Sequence, residues 1–222
     1  MTEPERRNPR AERTRAALVA AGRRLFSERA VDAVTVDDIV QAAEVGKGSF
    51  YNHFPDRDAL ARAVSAQIRA SVEGAITRAN EGEDDPARRV ARAVCCFLRY
   101  AVDEPEPAKV LVRVHSGHTS MDTPLNRGLV HDMECGLAAG RFNVPTIEAG
   151  ALYVLGVSQL ALSRLCREPT PTLAVSLAQQ MCALLLRGLG LPLPEADLIA
   201  AQASDEIVRR GAFTTTASGA PH

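Results

Sequence analysis

The chain is expected to be all-α, a small N-terminal three-helix unit followed by a larger helical one, and three observations carry that expectation. Apolar residues recur every three or four positions through most of the 222 residues. Prolines gather near the beginnings of these patterns, where a missing N–H costs a helix nothing. No run alternates apolar and polar residues over a strand's length, and the apolar stretch Val110 to Val114 is too short to overrule its helical setting. The length suits one small unit plus one of medium size, with ample core.

Taken in order, the first helix pattern carries Leu18, Ala21, Leu25 and Phe26 on one stripe. Arg6, Arg7, Arg10, Arg13 and Arg15 precede or enter it, either as a basic arm that follows a phosphate backbone or as an ordinary solvated tail. A second helix starts at Thr35, whose hydroxyl can cap the amide of Asp38, with Val34 and Ile39 placed as a hydrophobic staple. Its inward stripe is Ile39, Val40 and Ala43. Glu44, Val45 and Gly46 break the pattern, and a third helix of about two turns runs from near Lys47 to His53. Phe54 ends it, because a residue before proline avoids the helical region. Asp56 can cap the next helix, where Leu60, Val64, Ile68, Val72 and Ile76 form a ridge at fourfold spacing. After a polar break at Glu81 to Asp85, helices are expected at about 86–102, 106–115, 124–139, 146–167, 171–187 and 195–210. Residues 1–9 and 212–222 read as loose tails.

The third helix carries chemistry. Phe50 and Phe54 are four apart and share a face that must be buried, which leaves Lys47, Gly48, Tyr51 and Asn52 outside. Lys and Asn can hydrogen-bond base edges in a major groove, Gly lets a backbone approach, and Ser and Tyr hydroxyls can bind phosphates. Net charge gives no such indication. It is −1 overall, and within residues 1–60 acidic and basic side chains match one for one. Any positive footprint is therefore local.

With those residues in view, the segment from Thr35 to Leu60 resembles the DNA-binding region of the TetR family of bacterial transcription regulators. The correspondence runs through Thr35, Val36, Ile39, Ala43, Val45, Gly48, Ser49, Phe50, Tyr51, His53, Phe54, Asp56, Arg57, Asp58 and Leu60. The family usually has Gly where Glu44 stands and Ser or Ala where Gly46 stands, so turn geometry and operator choice are the points of departure. The resemblance implies that Lys47, Gly48 and Asn52 read bases and that Ser49, Tyr51, His53 and Arg57 hold phosphates. Thr35 and Val36, opening the preceding helix, complete the expected DNA-contacting set. It also implies a helix-turn-helix domain over residues 10–56 and a ligand-binding and dimerisation domain over 57–210. The expected partners are a double-stranded DNA operator, a small-molecule effector and a second copy of the chain. The expected function is a homodimeric repressor released from a palindromic operator by that effector.

The C-terminal helices at 146–167 and 171–187 are apolar around too much of their circumference to face one neighbour. The resemblance suggests a dimer interface on the second side, with Leu152, Leu155, Leu162, Leu177, Met181 and Leu184 as candidates. A deeper intrachain core is the alternative. Neither run is apolar over the 18 or more residues of a membrane span, and the N-terminus carries no secretory pattern, so the protein reads as cytoplasmic. Helical placement and the family's layout single out Phe97, Leu98, Tyr100, Leu111, Val114, His115, Met133 and Tyr153 as candidate pocket residues.

His115, His118, His131, Asp132 and Cys135 lie close in sequence but match no strong metal-ligand spacing, so no metal or other cofactor is expected. Five cysteines scattered along helix patterns argue against a disulfide framework. No catalytic motif is present, and no enzyme activity is expected. Two alternatives remain open: a ligand-binding protein or enzyme with a vestigial DNA-binding unit, and a regulator controlled by thiol oxidation or a protein partner.

Overall fold

The computed structural model describes residues 9–114 and 126–211. Expectations for Arg6, Arg7, His115, His118 and the C-terminal tail lie outside the described residues. Within them the chain is helical throughout, with no strand. The helices are α1 (Pro9–Glu28), α2 (Val36–Ala42), α3 (Lys47–Tyr51), α4 (Arg57–Ala79), α5 (Pro86–Asp103), α6 (Pro105–Arg113), α7 (Arg127–Ala138), α8 (Ile147–Arg167), α9 (Pro171–Gly188) and α10 (Leu193–Ala203). A short 3-10 turn, Val31–Ala33, precedes α2, and a π-helical turn, Ser204–Arg209, follows α10.

Several boundaries differ from expectation for local reasons. Pro9 is the first residue of α1, so Arg10, Arg13 and Arg15 are helical rather than part of a loose arm. Arg13 bonds back to the Pro9 carbonyl, and Arg15 lies over the Phe54 ring at 5.3 Å. The helix expected at 195–210 widens into the π turn at Ser204, whose hydroxyl donates to the Val175 carbonyl of α9. By length and composition α8 is long and apolar enough to cross a membrane, contrary to the expectation. Its apolarity has another use: Ala151, Val154, Ala161, Leu162 and Leu165 are buried within this chain.

The helix starts follow their caps. Thr35 and Asp38 form a reciprocal capping box on α2. Asp56, Asp85, Thr146 and Thr170 cap α4, α5, α8 and α9 through their side chains. The turn after α2 closes as a Schellman motif, with Val45 N–H on the Val40 carbonyl and Glu44 N–H on that of Gln41. Glu44 therefore sits at φ 55°, a conformation suited to glycine. Left-handed backbone costs a side-chain-bearing residue roughly 1–2 kcal/mol, and glycine's extra freedom when unfolded offsets roughly 0.4–1 kcal/mol of the relief. Glu44→Gly is thus expected to stabilise the protein by about 0.5–1 kcal/mol. A denaturation midpoint that falls on this substitution would contradict the strain argument.

α5 is the central strut, touching α4, α6, α7, α8, α9, α10 and the π turn. A continuous core runs from Leu18 and Phe26 in α1, through Leu60 and Ile68 in α4, to Ile207 and Val208. The N-terminal unit is tied to the rest through α4 and α6. Arg113, at the end of α6, donates to the carbonyls of Phe26 and Ser27 at the end of α1. At the other end, Arg141 bridges Asp85 and Glu195, each at 2.9 Å.

Candidate DNA interface and effector cavity

The α2–α3 pair presents a sealed underside and an open upper face. Ile39 and Phe50 are fully buried and Phe54 nearly so. Phe50 packs edge-on against Tyr51, with ring centroids 5.3 Å apart, and against Phe54 at 6.0 Å. Lys47, Gly48, Tyr51 and Asn52 are all exposed on the opposite side. Tyr51 is 53 % exposed, unusual for so large a ring. A Cβ added to Gly48 would meet nothing within 4 Å, so this stretch of backbone stands open to approach. The helix is shorter than the sequence suggests, because Asn52 already acts as its C-cap and His53 belongs to the turn that follows.

The expected DNA-contacting residues divide by what they do in the free chain. Lys47 pairs with Asp37 across the turn at 2.8 Å, and that carboxylate raises the lysine's pKa. A nucleic acid would have to exchange with Asp37 for it. Thr35 is the N-cap, its amide and hydroxyl both donating to Asp38, and Val36 is half-buried behind it. These hydrogen bonds hold the Asp38 carboxyl below its ordinary pKa. Ser49 and His53 are half-buried at the edges of the face. Arg57 is placed differently from expectation: its guanidinium donates to the carbonyls of Asp32 and Val34 at 2.8 and 3.2 Å. In the free protein it braces the approach to α2.

In the C-terminal part a cavity of about 810 Å³ lies among α4, α5, α6, α7 and α8. Its apolar wall includes Val72, Ile76, Val94, Phe97, Leu111, Leu129 and Leu155, and its polar side includes Arg69, Glu73, Arg89, Asn126, Asp132 and Gln159. Of the expected pocket residues, Phe97 and Leu111 line it. Leu98, Tyr100, Val114 and Met133 do not: they are buried in the core instead. Tyr153 also points elsewhere, its hydroxyl donating to the Leu184 carbonyl on α9. His115 lies outside the described residues. Helical periodicity marked most of the buried positions, Tyr153 excepted, but does not distinguish a wall facing a void from one facing another helix. Arg69, Glu73 and Gln159 were missed because charged and polar residues on a helix ordinarily indicate a solvated face.

Electrostatics within the cavity are uneven. Arg89 donates to Asp132 at 2.5 Å, and Asp132 is only 4 % exposed. Burial raises the Asp132 carboxyl above its usual value despite that partner. Glu73 is pushed up to about 7, mainly by burial, with the field of Arg69 pulling the other way.

A separate apolar strip crosses α8 and α9. Leu160, at 72 % exposure, Tyr153 and Leu184 are exposed, and Leu173, Leu177 and Met181 are half-buried beside them. Leu177, Met181 and Leu184 were expected on such a surface. Leu162 is wholly buried, because it lies on the α8 face that packs inward, so it is corrected to core. Leu152 and Leu155 line the cavity, though Leu152 also keeps an exposed edge.

Four of the five thiols are buried or half-buried, while Cys135 is exposed with its sulfur 3.6 Å from His131 Nε2. Cys95 and Cys182 are buried with sulfurs 3.8 Å apart, and contact with Cys182 together with burial raises the Cys95 pKa well above its ordinary value. Burial pushes Cys96 up to about 12 and Cys166 up to about 11. These settings disfavour the thiolate that oxidation requires. Among the described residues no three His, Cys, Asp or Glu side chains converge as a metal site.

Comparison with known proteins adds independent findings. Residues 18–64 match the profile described as "Bacterial regulatory proteins, tetR family", and residues 85–202 match "Tetracyclin repressor-like, C-terminal domain". The HTH-type transcriptional repressor DhaR of Mycobacterium sp. (strain GP1) is 38% identical over 72 residues, 32% of this chain and 36% of that protein. The HTH-type transcriptional regulator HbdR of Aromatoleum sp. (strain CIB) is 30% identical over 100 residues, 45% of this chain and 43% of its own length. The alignments thus span less than half of the length of these curated relatives. Structural likeness extends further. RolR without ligand superposes with a TM-score of 0.65 at 28% identity, covering 84% of this chain and 96% of RolR. RolR in complex with resorcinol gives 0.62 at 27% identity, covering 88% and 97%.

Proposed function

Because the chain belongs to the TetR family of bacterial regulatory proteins, we propose that this DNA-binding transcriptional regulator is a homodimeric repressor, released from a palindromic operator by a small molecule held in the cavity. The observation that carries the DNA reading is the exposed quartet Lys47, Gly48, Tyr51 and Asn52 over a sealed Phe50–Phe54 underside. One short helix reads few bases, whereas two heads held a helical turn apart, about 34 Å, read a palindrome. The exposed strip of α8 and α9 is the surface assigned to that pairing. Residues 10–56 are taken as the DNA-binding domain and 57–210 as the effector and pairing domain, in the cytoplasm.

The cavity is read as the effector site because a mostly apolar void of this size with a few polar groups suits a small organic ligand. RolR, which binds resorcinol, supports that reading and makes resorcinol a natural first trial compound. Coupling to DNA requires the ligand to prefer one arrangement of the heads over another. Two contacts lie on the way from cavity to head: Gln159 donates to the Leu111 carbonyl of α6, and Arg113 ties α6 to the end of α1.

Binding to genomic fragments at fixed, moderate salt tests the function, and finding no fragment bound better than random DNA would defeat it. Tyr51→Ala is expected to weaken binding to every sequence, while Lys47→Ala and Asn52→Ala also change which sequence is preferred. Loss of a base contact costs roughly 1–3 kcal/mol at the affected position. Equal losses on all sequences from all three substitutions would contradict this division of roles.

A further inference from the structure

We propose that the cavity is built for an uncharged, mainly apolar effector bearing a hydroxyl group, and that the Glu73 carboxylate accepts that hydroxyl's hydrogen bond. The inference rests on the reading of the cavity as the effector site. Charge is balanced around the void: Arg69, Arg78 and Arg89 line it against Glu73, Glu81 and Asp132, and α6 and α8 add no charged group. An ionic ligand therefore gains no net attraction. An anion would meet Glu73 and Asp132; a cation would meet Arg69 and Arg89.

Most of the polar groups facing the void are already occupied. Arg89 bonds Asp132 and the carbonyls of Asn80 and Glu83. Arg69 donates to the Asn126 side chain at 2.8 Å, and Gln159 donates to the Leu111 carbonyl at 3.1 Å. Glu73 differs. Among the described residues its carboxyl accepts no hydrogen bond and forms no ion pair, feeling only the fields of Arg69 and Asp132, whereas Asn80 Oδ1, another lining acceptor without a donor, carries no charge. Glu73 is half-buried, so its carboxylate is partly desolvated without a protein donor, and a ligand that brings one is favoured by a charge-assisted bond. A hydroxyl brings a donor without bringing charge, whereas a ketone or carboxylate brings only acceptors.

The raised pKa of Glu73, about 7, agrees with a carboxyl that lacks such a donor. A bound hydroxyl stabilises the ionised form, so binding near neutral pH releases protons. A ligand that only accepts would instead stabilise the protonated carboxyl and take protons up.

Isothermal titration of the full chain with 2-naphthol, naphthalene, 2-naphthoate and 2-naphthylmethylammonium tests this. The wild type is expected to bind 2-naphthol about tenfold more tightly than naphthalene, consistent with one hydrogen bond to a charged acceptor, and to release protons on doing so at about pH 7. Glu73→Leu should abolish both the preference and the proton release while retaining naphthalene. Equal affinity for naphthol and naphthalene, a preference that survives Glu73→Leu, or tighter binding of either charged probe would overturn the assignment of Glu73. The cavity itself is tested separately by Ala93→Phe, which fills it. Binding that ignores Ala93→Phe, or no binding of any probe, would defeat the effector site and this inference with it.

Discussion

Replacing Leu160 by glutamate is expected to leave the chain folded but monomeric, and to lower operator affinity about a hundredfold or more. Leu160 is 72 % exposed in the single chain, so a charge there costs the isolated fold little. In the proposed pairing the same side chain is buried against a second copy, where an unpaired carboxylate is strongly unfavourable. The loss on DNA follows from geometry: a linked pair of heads makes the second binding event intramolecular, and separating them forfeits a factor of about 10²–10⁴. Sedimentation of Leu160→Glu, with helical content as the check on folding, reads the first effect, and a titration of operator DNA reads the second. A variant that remains dimeric, or a monomer that keeps full affinity, would remove the α8–α9 strip from the proposal. Leu162→Ala provides the contrast, since that side chain is wholly buried. It should cost roughly 2–5 kcal/mol of stability through the cavity it leaves.

Glu73→Gln is expected to stabilise the protein at about pH 8 by about 3 kcal/mol and to change little at about pH 4. Burial raises the Glu73 carboxyl from the ordinary 4.5 to about 7 in the folded chain. Between those values the unfolded chain loses its proton first, so the wild type loses stability as pH rises from 4.5 through 7 and levels off above. Each tenfold difference in proton affinity between the folded and unfolded carboxyl is worth about 1.4 kcal/mol, which sets the size of the effect. The glutamine is neutral at every pH and removes this component of the slope. Urea midpoints for both proteins at about pH 4, 6 and 8 measure it, and a pH-independent difference between them would show that Glu73 titrates normally. Binding and stability are expected to be opposed at this residue: the substitution that helps folding is the one expected to damage effector recognition.

Much of this molecule is legible in its linear pattern because local rules decide it. Thr35 and Asp56 mark helix starts through contacts three residues away. The spacing of Phe50 and Phe54 assigns the inner face of α3, and with it the outward set Lys47, Gly48, Tyr51 and Asn52. The strained turn at Glu44 is likewise announced by a non-glycine residue at a position the family usually gives to glycine.

Long-range placement is different. Periodicity marks Leu162 and Leu160 alike as apolar helix residues, but their two-residue offset on α8 sends one into the core and leaves the other on the surface. Tyr153 and Met133 are equally suited to a pocket by residue type, yet one lies on the α8–α9 surface and the other in the core. Arg57 reads as free for a phosphate, but the packing of α4 brings it to the carbonyls of Asp32 and Val34. Glu73 reads as solvent-facing helix, but α5, α7 and α8 close around it. Helix type and inner face follow from neighbours within a turn or two. A cavity, a free surface and a carboxyl raised by burial, as at Glu73, arise only where helices distant in sequence meet, because burial and field at a residue depend on every element packed against it.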